Sequence, residues 1–115
     1  MEDGWTVAVT NGSAAHARGV LDHLGVRALF FRVYGLERLA FVPKPYVQAY
    51  QMVLADLHAL GRDCILVEDR AVNLRAARQL GMRTVYVADG GPPAPEADVS
   101  IGAVLELERA LAALA

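Results

Sequence analysis

The stretch Cys64-Ile65-Leu66-Val67-Glu68-Asp69 runs from four apolar residues directly into two acidic ones. A short apolar run of this kind is typical of a buried strand in a parallel sheet. Ligands of such sheets bind outside the carboxyl ends of the strands, which is where the two acids would lie. The stretch therefore predicts an α/β fold and places Asp69 in a candidate functional site.

Strand and helix patterns alternate along the chain on both sides of this stretch. Apolar or β-branched runs predict the strands, and amphipathic segments that end at glycine predict the helices. The order implies a parallel sheet between two layers of helices, in one domain that covers residues 1–115. In chain order we predict a strand at 6–10, a helix capped by Ser13 and closed by Gly25, a strand at 30–34, a helix from Pro45 to Gly61, strands at 64–67 and 84–87 around a helix at about 72–80, a short edge strand at 99–101, and a helix at about 103–114.

Composition and charge exclude several classes of protein. The chain has 115 residues, 55% of them hydrophobic, which is enough for one core and too few for two. A formal net charge of -2 with scattered cations provides no basic stripe, so nucleic acid is not an expected partner. Apolar runs are short and no signal-peptide pattern is present, so we expect a cytoplasmic protein that does not bind membranes. The one cysteine, Cys64, is predicted to be a buried side chain and not a nucleophile.

Polar side chains gather where the predicted strands end. Thr10 and Asn11 follow the first strand, Lys44 stands between two prolines, and Glu68 and Asp69 follow the central stretch. A hydroxyl beside the N–H groups of a helix start suits phosphate, and Lys44 adds a cation on a stiff loop. Asp69 offers the hard oxygen ligand that Mg²⁺ prefers. Because these loops meet at one edge of the sheet, we expect a single site there.

Three positions near Asp69 keep alternative interpretations. Asn73 comes four residues after Asp69, so it either orients that carboxylate or caps the helix that follows. Glu68 is either a supporting residue or a solvated neighbour. Arg70 either pairs with Asp69 and competes with a metal ion, or faces outward.

The polar motifs resemble those of the haloacid dehalogenase superfamily, most closely its pyrimidine 5'-nucleotidase-like branch. VAVTNG at 7–12 resembles the second motif of that superfamily, VPKP at 42–45 the third, and LVEDRAVN at 66–73 the fourth. The resemblance extends from Trp5 to Leu114 and implies a three-layer α/β/α Rossmann-like fold acting on a small phosphorylated substrate. The roles it implies are phosphoryl binding by Thr10 and Asn11, charge neutralisation by Lys44, and coordination of Mg²⁺ by Asp69 with Glu68 and Asn73 in support.

The first motif of the superfamily, a strand that ends Asp-x-Asp-x-Thr and supplies the nucleophile, is not found in the chain. Asp3 precedes the first predicted strand instead of ending one, so it does not replace that motif. In the superfamily the missing strand is central, between the strands that end at Thr10 and at Asp69. We therefore expect a core domain truncated at its amino-terminal side, with two strand edges that the missing strand leaves unpaired. These edges either close on each other, form a homodimer, or accept a complementing N-terminal segment.

Two functions from different classes agree with these features. The first is a Mg²⁺-dependent phosphatase that acts on a small phosphate ester or nucleotide through an aspartyl-phosphate, and that is inactive as this chain alone because the nucleophilic Asp is absent. The second is a non-catalytic remnant of the same fold that serves as a binding or dimerisation module. A dinucleotide-binding domain and a phosphate-loop enzyme are not favoured, because their glycine motifs are absent.

Overall fold

A computed structural model describes residues 4–114 of the chain. Asp3 lies outside the described residues. No helix among the described residues is long and apolar enough to cross a membrane. In chain order the elements are β1 (Val7–Val9), α1 (Ala14–His23), β2 (Arg32–Tyr34), α2 (Val47–Leu57), β3 (Ile65–Glu68), α3 (Leu74–Gln79), β4 (Arg83–Val87), β5 (Val99–Ile101) and α4 (Leu107–Leu114).

Several predicted boundaries were wrong. The α2 helix ends at Leu57 and not at Gly61, because His58 takes the left-handed conformation with a φ of 52°. The α4 helix begins at Leu107 and not at 103, because a short 3-10 turn over Val104–Glu106 precedes it. Three further starts were wrong by two residues. The α2 helix begins at Val47 and not at Pro45, because Tyr46 keeps an extended backbone and its N–H closes a turn on the Pro43 carbonyl at 3.0 Å. The β2 strand begins at Arg32 and not at Phe30, because Phe30 is the C-cap of a short 3-10 turn over Arg27–Leu29. A short 3-10 turn over residues 71–73 precedes α3, which therefore starts at residue 74.

The start of α1 follows the sequence prediction. The Ser13 hydroxyl accepts a hydrogen bond from the His16 N–H at 3.0 Å, so it caps the helix. Such a cap typically stabilises a helix by about 1 kcal/mol. Gly25, with a φ of 73°, takes the left-handed conformation just after the helix, a backbone region that side chains with a Cβ disfavour.

The strands form two parallel sheets instead of one continuous sheet. β1 pairs with β2, with Val7 opposite Arg32, and β3 pairs with β4, which in turn pairs with β5. Among residues 4–114, β1 and β3 are not paired with each other. The division falls between the two strands for which the sequence predicts unpaired edges.

The α2 helix joins the two sheets through its buried face. Ala49 and Val53 pack in one apolar cluster with the valines of β1, and Tyr50 packs in a second cluster with Leu66 of β3. A third cluster joins β4 and β5 to α4. No cluster of the described residues contains side chains of both β1 and β3, so α2 covers one face of the gap between them.

Cys64 is a packing residue, although it is only partly buried and comes just before β3. Its thiol packs in the second cluster and contacts the Leu60 carbonyl at 3.4 Å. Burial, and secondly the charge of Asp63, raises the pKa of this thiol. Since the thiolate is the reactive form, the folded chain should react with a thiol reagent at least about tenfold more slowly than the unfolded chain at the same pH. Absorbance of the released thiolate of Ellman's reagent measures both rates, and equal rates would contradict this expectation.

Candidate functional site

Lys44 links the carboxyl ends of β1 and β3. Asn11, just after β1, clamps the Lys44 backbone with its side-chain amide: Nδ2 donates to the Lys44 carbonyl at 3.1 Å, and the Lys44 N–H donates to Oδ1 at 2.8 Å. The ammonium group of Lys44 then donates to Oε2 of Glu68, the last residue of β3, at 3.2 Å. The loop that carries Lys44 therefore crosses the gap between the two sheets at the edge where the site was predicted.

Glu68 is the most highly bonded residue of the site. Its Oε2 accepts from Lys44 and from Asn73 Nδ2, the latter at 2.9 Å, and its Oε1 accepts from the N–H groups of Asp69 and Arg70 at 3.1 and 3.3 Å. The side chain of Glu68 is only 7% exposed, and that of Lys44 only 15%. A buried carboxylate costs much free energy unless it is paired and hydrogen-bonded, and here it is both. Glu68 is therefore a supporting residue and not a solvated neighbour.

Asp69 presents its carboxylate to solvent. Its backbone N–H is fixed by Glu68, while the side chain is exposed and receives no hydrogen bond from other side chains among residues 4–114. Arg70 is also exposed and forms no ion pair with Asp69 in the described part of the chain, so it is the outward-facing arginine of the two alternatives. The Asp69 carboxylate is therefore free to bind a ligand.

Asn73 and Tyr50 support Glu68 through two successive hydrogen bonds. Asn73 is buried, and its side-chain amide donates to Glu68. The amide forms no capping hydrogen bond to α3, so Asn73 supports Glu68 and not, as the spacing suggested, Asp69. Its carbonyl accepts from the Tyr50 hydroxyl at 3.5 Å. Burial, and secondly the negative charge of Glu68, raises the pKa of the Tyr50 phenol. Tyr50 is therefore a neutral hydrogen-bond donor.

Thr10 shapes the turn between β1 and α1. Its Oγ1 accepts a hydrogen bond from the Gly12 N–H at 3.0 Å, and its own N–H donates to the Tyr34 carbonyl at 2.9 Å. The hydroxyl proton of Thr10 stays available, because a hydroxyl donates and accepts at the same time. Thr10 can therefore hold the turn and also donate to an anion.

A cavity of about 320 Å³ opens at this edge of the sheet. A larger cavity of about 470 Å³ lies beside the starts of α2 and α3, but it contains no predicted site residue. Of these two cavities the smaller is the better candidate, because Lys44 and Asp69 both line it. It is lined by Lys44, Val67, Glu68, Asp69, Val87 and Val104.

Mg²⁺ would have one free carboxylate to bind here. The residues from 4 to 114 contain no group of three or more His, Cys, Asp or Glu side chains that could hold a metal ion. Magnesium commonly takes only one or two carboxylates and completes its shell with waters and phosphate oxygens. Asp69 fits such a shared site, whereas Glu68 is already committed to Lys44 and Asn73.

Glu37 accepts a hydrogen bond at the start of α1 that sequence reasoning missed. Its Oε1 accepts from the Ala14 N–H at 2.8 Å, and this bond is the main cause that lowers the pKa of the Glu37 carboxyl. The contact requires a close approach of two loops, since a Cβ at Gly35 would lie 2.2 Å from the Ala14 nitrogen. No local pattern predicts it, because the bonded residues are 23 positions apart.

Known proteins resemble the chain in sequence and in structure. The family model for haloacid dehalogenase-like hydrolases matches residues 1–81, while no curated protein sequence matches the chain. A HAD phosphatase from Thermococcus onnurineus superposes with a TM-score of 0.81 at 22% identity, over 93% of this chain and 50% of that one. An L-2-haloacid dehalogenase from Xanthobacter autotrophicus, with chloropropionic acid covalently bound, gives 0.83 at 17%, over 96% and 56%.

A third similar structure carries a metal ion. The Bacillus subtilis protein YfnB, bound to magnesium, superposes with a TM-score of 0.82 at 20% identity, over 96% of this chain and 50% of that one. The chain thus spans about half the length of each of these three structures. At these identities the likeness establishes the fold, so the predicted α/β Rossmann-like architecture is confirmed.

Proposed function

Because the chain belongs to the haloacid dehalogenase-like hydrolase family, we propose that its site binds the phosphoryl group of a small phosphate ester or nucleotide together with Mg²⁺. The observation that carries the proposal is Lys44, a nearly buried cation held beside the free carboxylate of Asp69. At one cavity, a cation can bind a phosphoryl group directly, and a carboxylate can hold a metal ion that binds the same group.

Lys44 retains capacity to bind an anion in spite of its pairing with Glu68. An ammonium group has three N–H donors, and Glu68 accepts from this one through Oε2. Asn11 holds the Lys44 backbone with two hydrogen bonds, so little backbone flexibility is lost when a ligand binds. Thr10 lies at the end of β1 but is not among the residues that line the cavity. Inside the cavity, the cationic donor for a phosphate would therefore be the Lys44 ammonium.

Asp69 would hold Mg²⁺, and Glu68 would keep Asp69 in place through the backbone N–H. When bound, the ion neutralises charge that develops on phosphoryl oxygens. The same arrangement explains why two adjacent acids are needed. Glu68 balances Lys44 inside the protein, and Asp69 remains free outside.

Hydrolysis requires a nucleophile in addition to this binding site. In the proposed reaction a carboxylate oxygen bonds to phosphorus as the bond to the leaving oxygen breaks, and water then cleaves the aspartyl-phosphate. Among the described residues, the acids that line the cavity are Glu68 and Asp69, and both have other roles. We therefore propose that this chain binds the substrate but needs a carboxylate from elsewhere for turnover.

Hydrolysis of p-nitrophenyl phosphate tests this proposal. In the presence of Mg²⁺, the purified chain should release no more p-nitrophenol than the Asp69→Asn variant, which controls for contaminating phosphatase. Turnover by the unchanged chain that the substitution abolishes would overturn the need for an external carboxylate. It would support the phosphatase function at the same time.

A further inference from the structure

Glu37 contacts the start of α1 with its side chain and is not among the residues that line the candidate cavity. We propose that Glu37 is a positioning residue for Lys44: it holds the turn at 10–14 in place, and this turn holds the Lys44 backbone through Asn11. Glu37 itself would touch neither phosphate nor metal. The benefit of this arrangement for phosphate binding rests on the proposed function, whereas the positioning of Lys44 does not.

The turn between β1 and α1 lies against the segment that follows β2. The Thr10 N–H donates to the Tyr34 carbonyl at 2.9 Å. Two residues further along both segments, the Leu36 N–H donates to the Gly12 carbonyl at 3.0 Å. These backbone bonds extend the pairing of β1 with β2 into the turn, and they bring the next side chain, that of Glu37, to the start of α1.

Glu37 completes the start of α1 with a side-chain hydrogen bond. The first N–H groups of a helix have no partner within the helix. Ser13 caps the N–H of His16, and Oε1 of Glu37 accepts from the N–H of Ala14 at 2.8 Å. Ala14 is only 6% exposed, and a bond to an ionised acceptor is stronger than one between neutral groups. Loss of the Glu37 carboxylate would therefore remove a firm attachment of the helix start.

The segment after β2 and the turn touch each other at Gly35. A Cβ at this position would lie 2.2 Å from the Ala14 nitrogen and 2.8 Å from the Ser13 carbonyl carbon. Glycine permits so close an approach of two backbones because it has no side chain. Since the two backbones are in direct contact, a shift of one requires a shift of the other.

The chain between Glu37 and Lys44 contains two residues in a conformation that residues other than glycine disfavour. Ala40 and Phe41 have φ values of 52° and 61°. Such a backbone persists only where its surroundings fix it. Side-chain bonds fix this segment on both sides, from Glu37 to the start of α1 and from Asn11 to Lys44. Loss of the Glu37 bond would therefore loosen the loop that carries Lys44.

Asn11 transmits the position of the turn to Lys44. It lies between Thr10 and Gly12, whose backbones are held by the segment of β2, and its amide bonds to the Lys44 N–H at 2.8 Å and to the Lys44 carbonyl at 3.1 Å. The Lys44 ammonium then reaches Glu68 at 3.2 Å. A displaced turn would therefore displace the cation of the candidate site.

Hydrogen exchange of the intact chain tests the positioning of Lys44 without any ligand. In the Glu37→Ala variant the Lys44 amide should exchange at least about tenfold faster than in the unchanged chain, because its bond to Asn11 opens more often. The Glu37→Gln variant keeps an acceptor oxygen, so its Lys44 amide should exchange within about twofold of the unchanged rate. Both substitutions remove the same charge, and the comparison therefore isolates the acceptor. The Val85 amide, in the middle of β4, should not change in either variant.

Calorimetric titration with inorganic phosphate and Mg²⁺ measures the consequence for the site. Glu37→Ala should weaken phosphate binding at least about threefold, as substitutions that act through other residues commonly do. Glu37→Gln should bind as the unchanged chain does. In an Asn11→Ala background, Glu37→Ala should weaken binding no further, because the connection to Lys44 is already broken.

Several results would overturn the proposal. They are an unchanged exchange rate of the Lys44 amide in Glu37→Ala, and equal rates in the Ala and Gln variants. Equal acceleration at Val85 would also overturn it, because Glu37 would then act only on overall stability. A further loss of affinity in the Asn11→Ala background would overturn the route through Asn11. If the unchanged chain binds no phosphate, the proposed function fails, while the exchange rates at Lys44 still decide whether Glu37 positions that residue.

Discussion

Replacement of Glu68 by alanine should lower the free energy of unfolding by about 3–5 kcal/mol, the usual cost of breaking a buried ion pair by removing one partner. The substitution leaves the Lys44 ammonium and the Asn73 amide without their shared acceptor, and it also releases the N–H groups of Asp69 and Arg70. Domains of this size are stable by only about 5–15 kcal/mol. The variant should therefore be close to unfolding at room temperature.

Denaturant unfolding followed by circular dichroism measures this loss. Glu108→Ala is the matched control, because Glu108 is an exposed glutamate on α4 and its removal should change stability by no more than about 0.5 kcal/mol. The Lys44→Met/Glu68→Leu double variant removes both charges. Its loss of stability should be smaller than the summed losses of the single variants Lys44→Met and Glu68→Leu, by a coupling of at least about 1 kcal/mol. Additive losses would mean that the pair does not stabilise the fold.

Replacement of Asp69 by asparagine should remove binding of Mg²⁺ while leaving the fold intact. Asp69 is exposed, and the bond it gives to Glu68 comes from its backbone, which asparagine keeps. Loss of outer residues around a metal ion commonly reduces affinity about 10–100-fold, so loss of a carboxylate that binds the ion directly should cost at least as much. Binding of phosphate in the presence of Mg²⁺ should fall with it, whereas the unfolding midpoint should not decrease.

Local sequence patterns predicted the elements of the fold but not how the site is held together. The run that ends in Glu68 and Asp69 predicts a strand and its functional end, because strand propensity and charge are encoded within six neighbouring residues. The clamp between Asn11 and Lys44 joins residues 33 positions apart, and no periodicity indicates such a contact. The sequence therefore identifies the polar residues, and only the folded chain shows which of them bind each other.

Glu68 and Asn73 show the same limit at shorter range. Their spacing is compatible with a helix cap, with a solvated glutamate, or with support of Asp69, and sequence alone did not decide among these. The burial of Glu68 decides between these alternatives. A buried carboxylate at the end of β3 requires hydrogen-bond donors, and the Asn73 amide is one of them. The division of the sheet was expected from the resemblance to a family and not from any pattern of residues.

Calorimetric titration with inorganic phosphate, with and without Mg²⁺, tests the central claim most directly. The chain should bind phosphate more tightly when Mg²⁺ is present, and Asp69→Asn should abolish that gain. Asp63→Asn is the matched control, because Asp63 is an exposed aspartate before the opposite end of β3 and should retain the gain. Phosphate binding that is the same with and without Mg²⁺, or that Asp69→Asn leaves unchanged, would contradict the account.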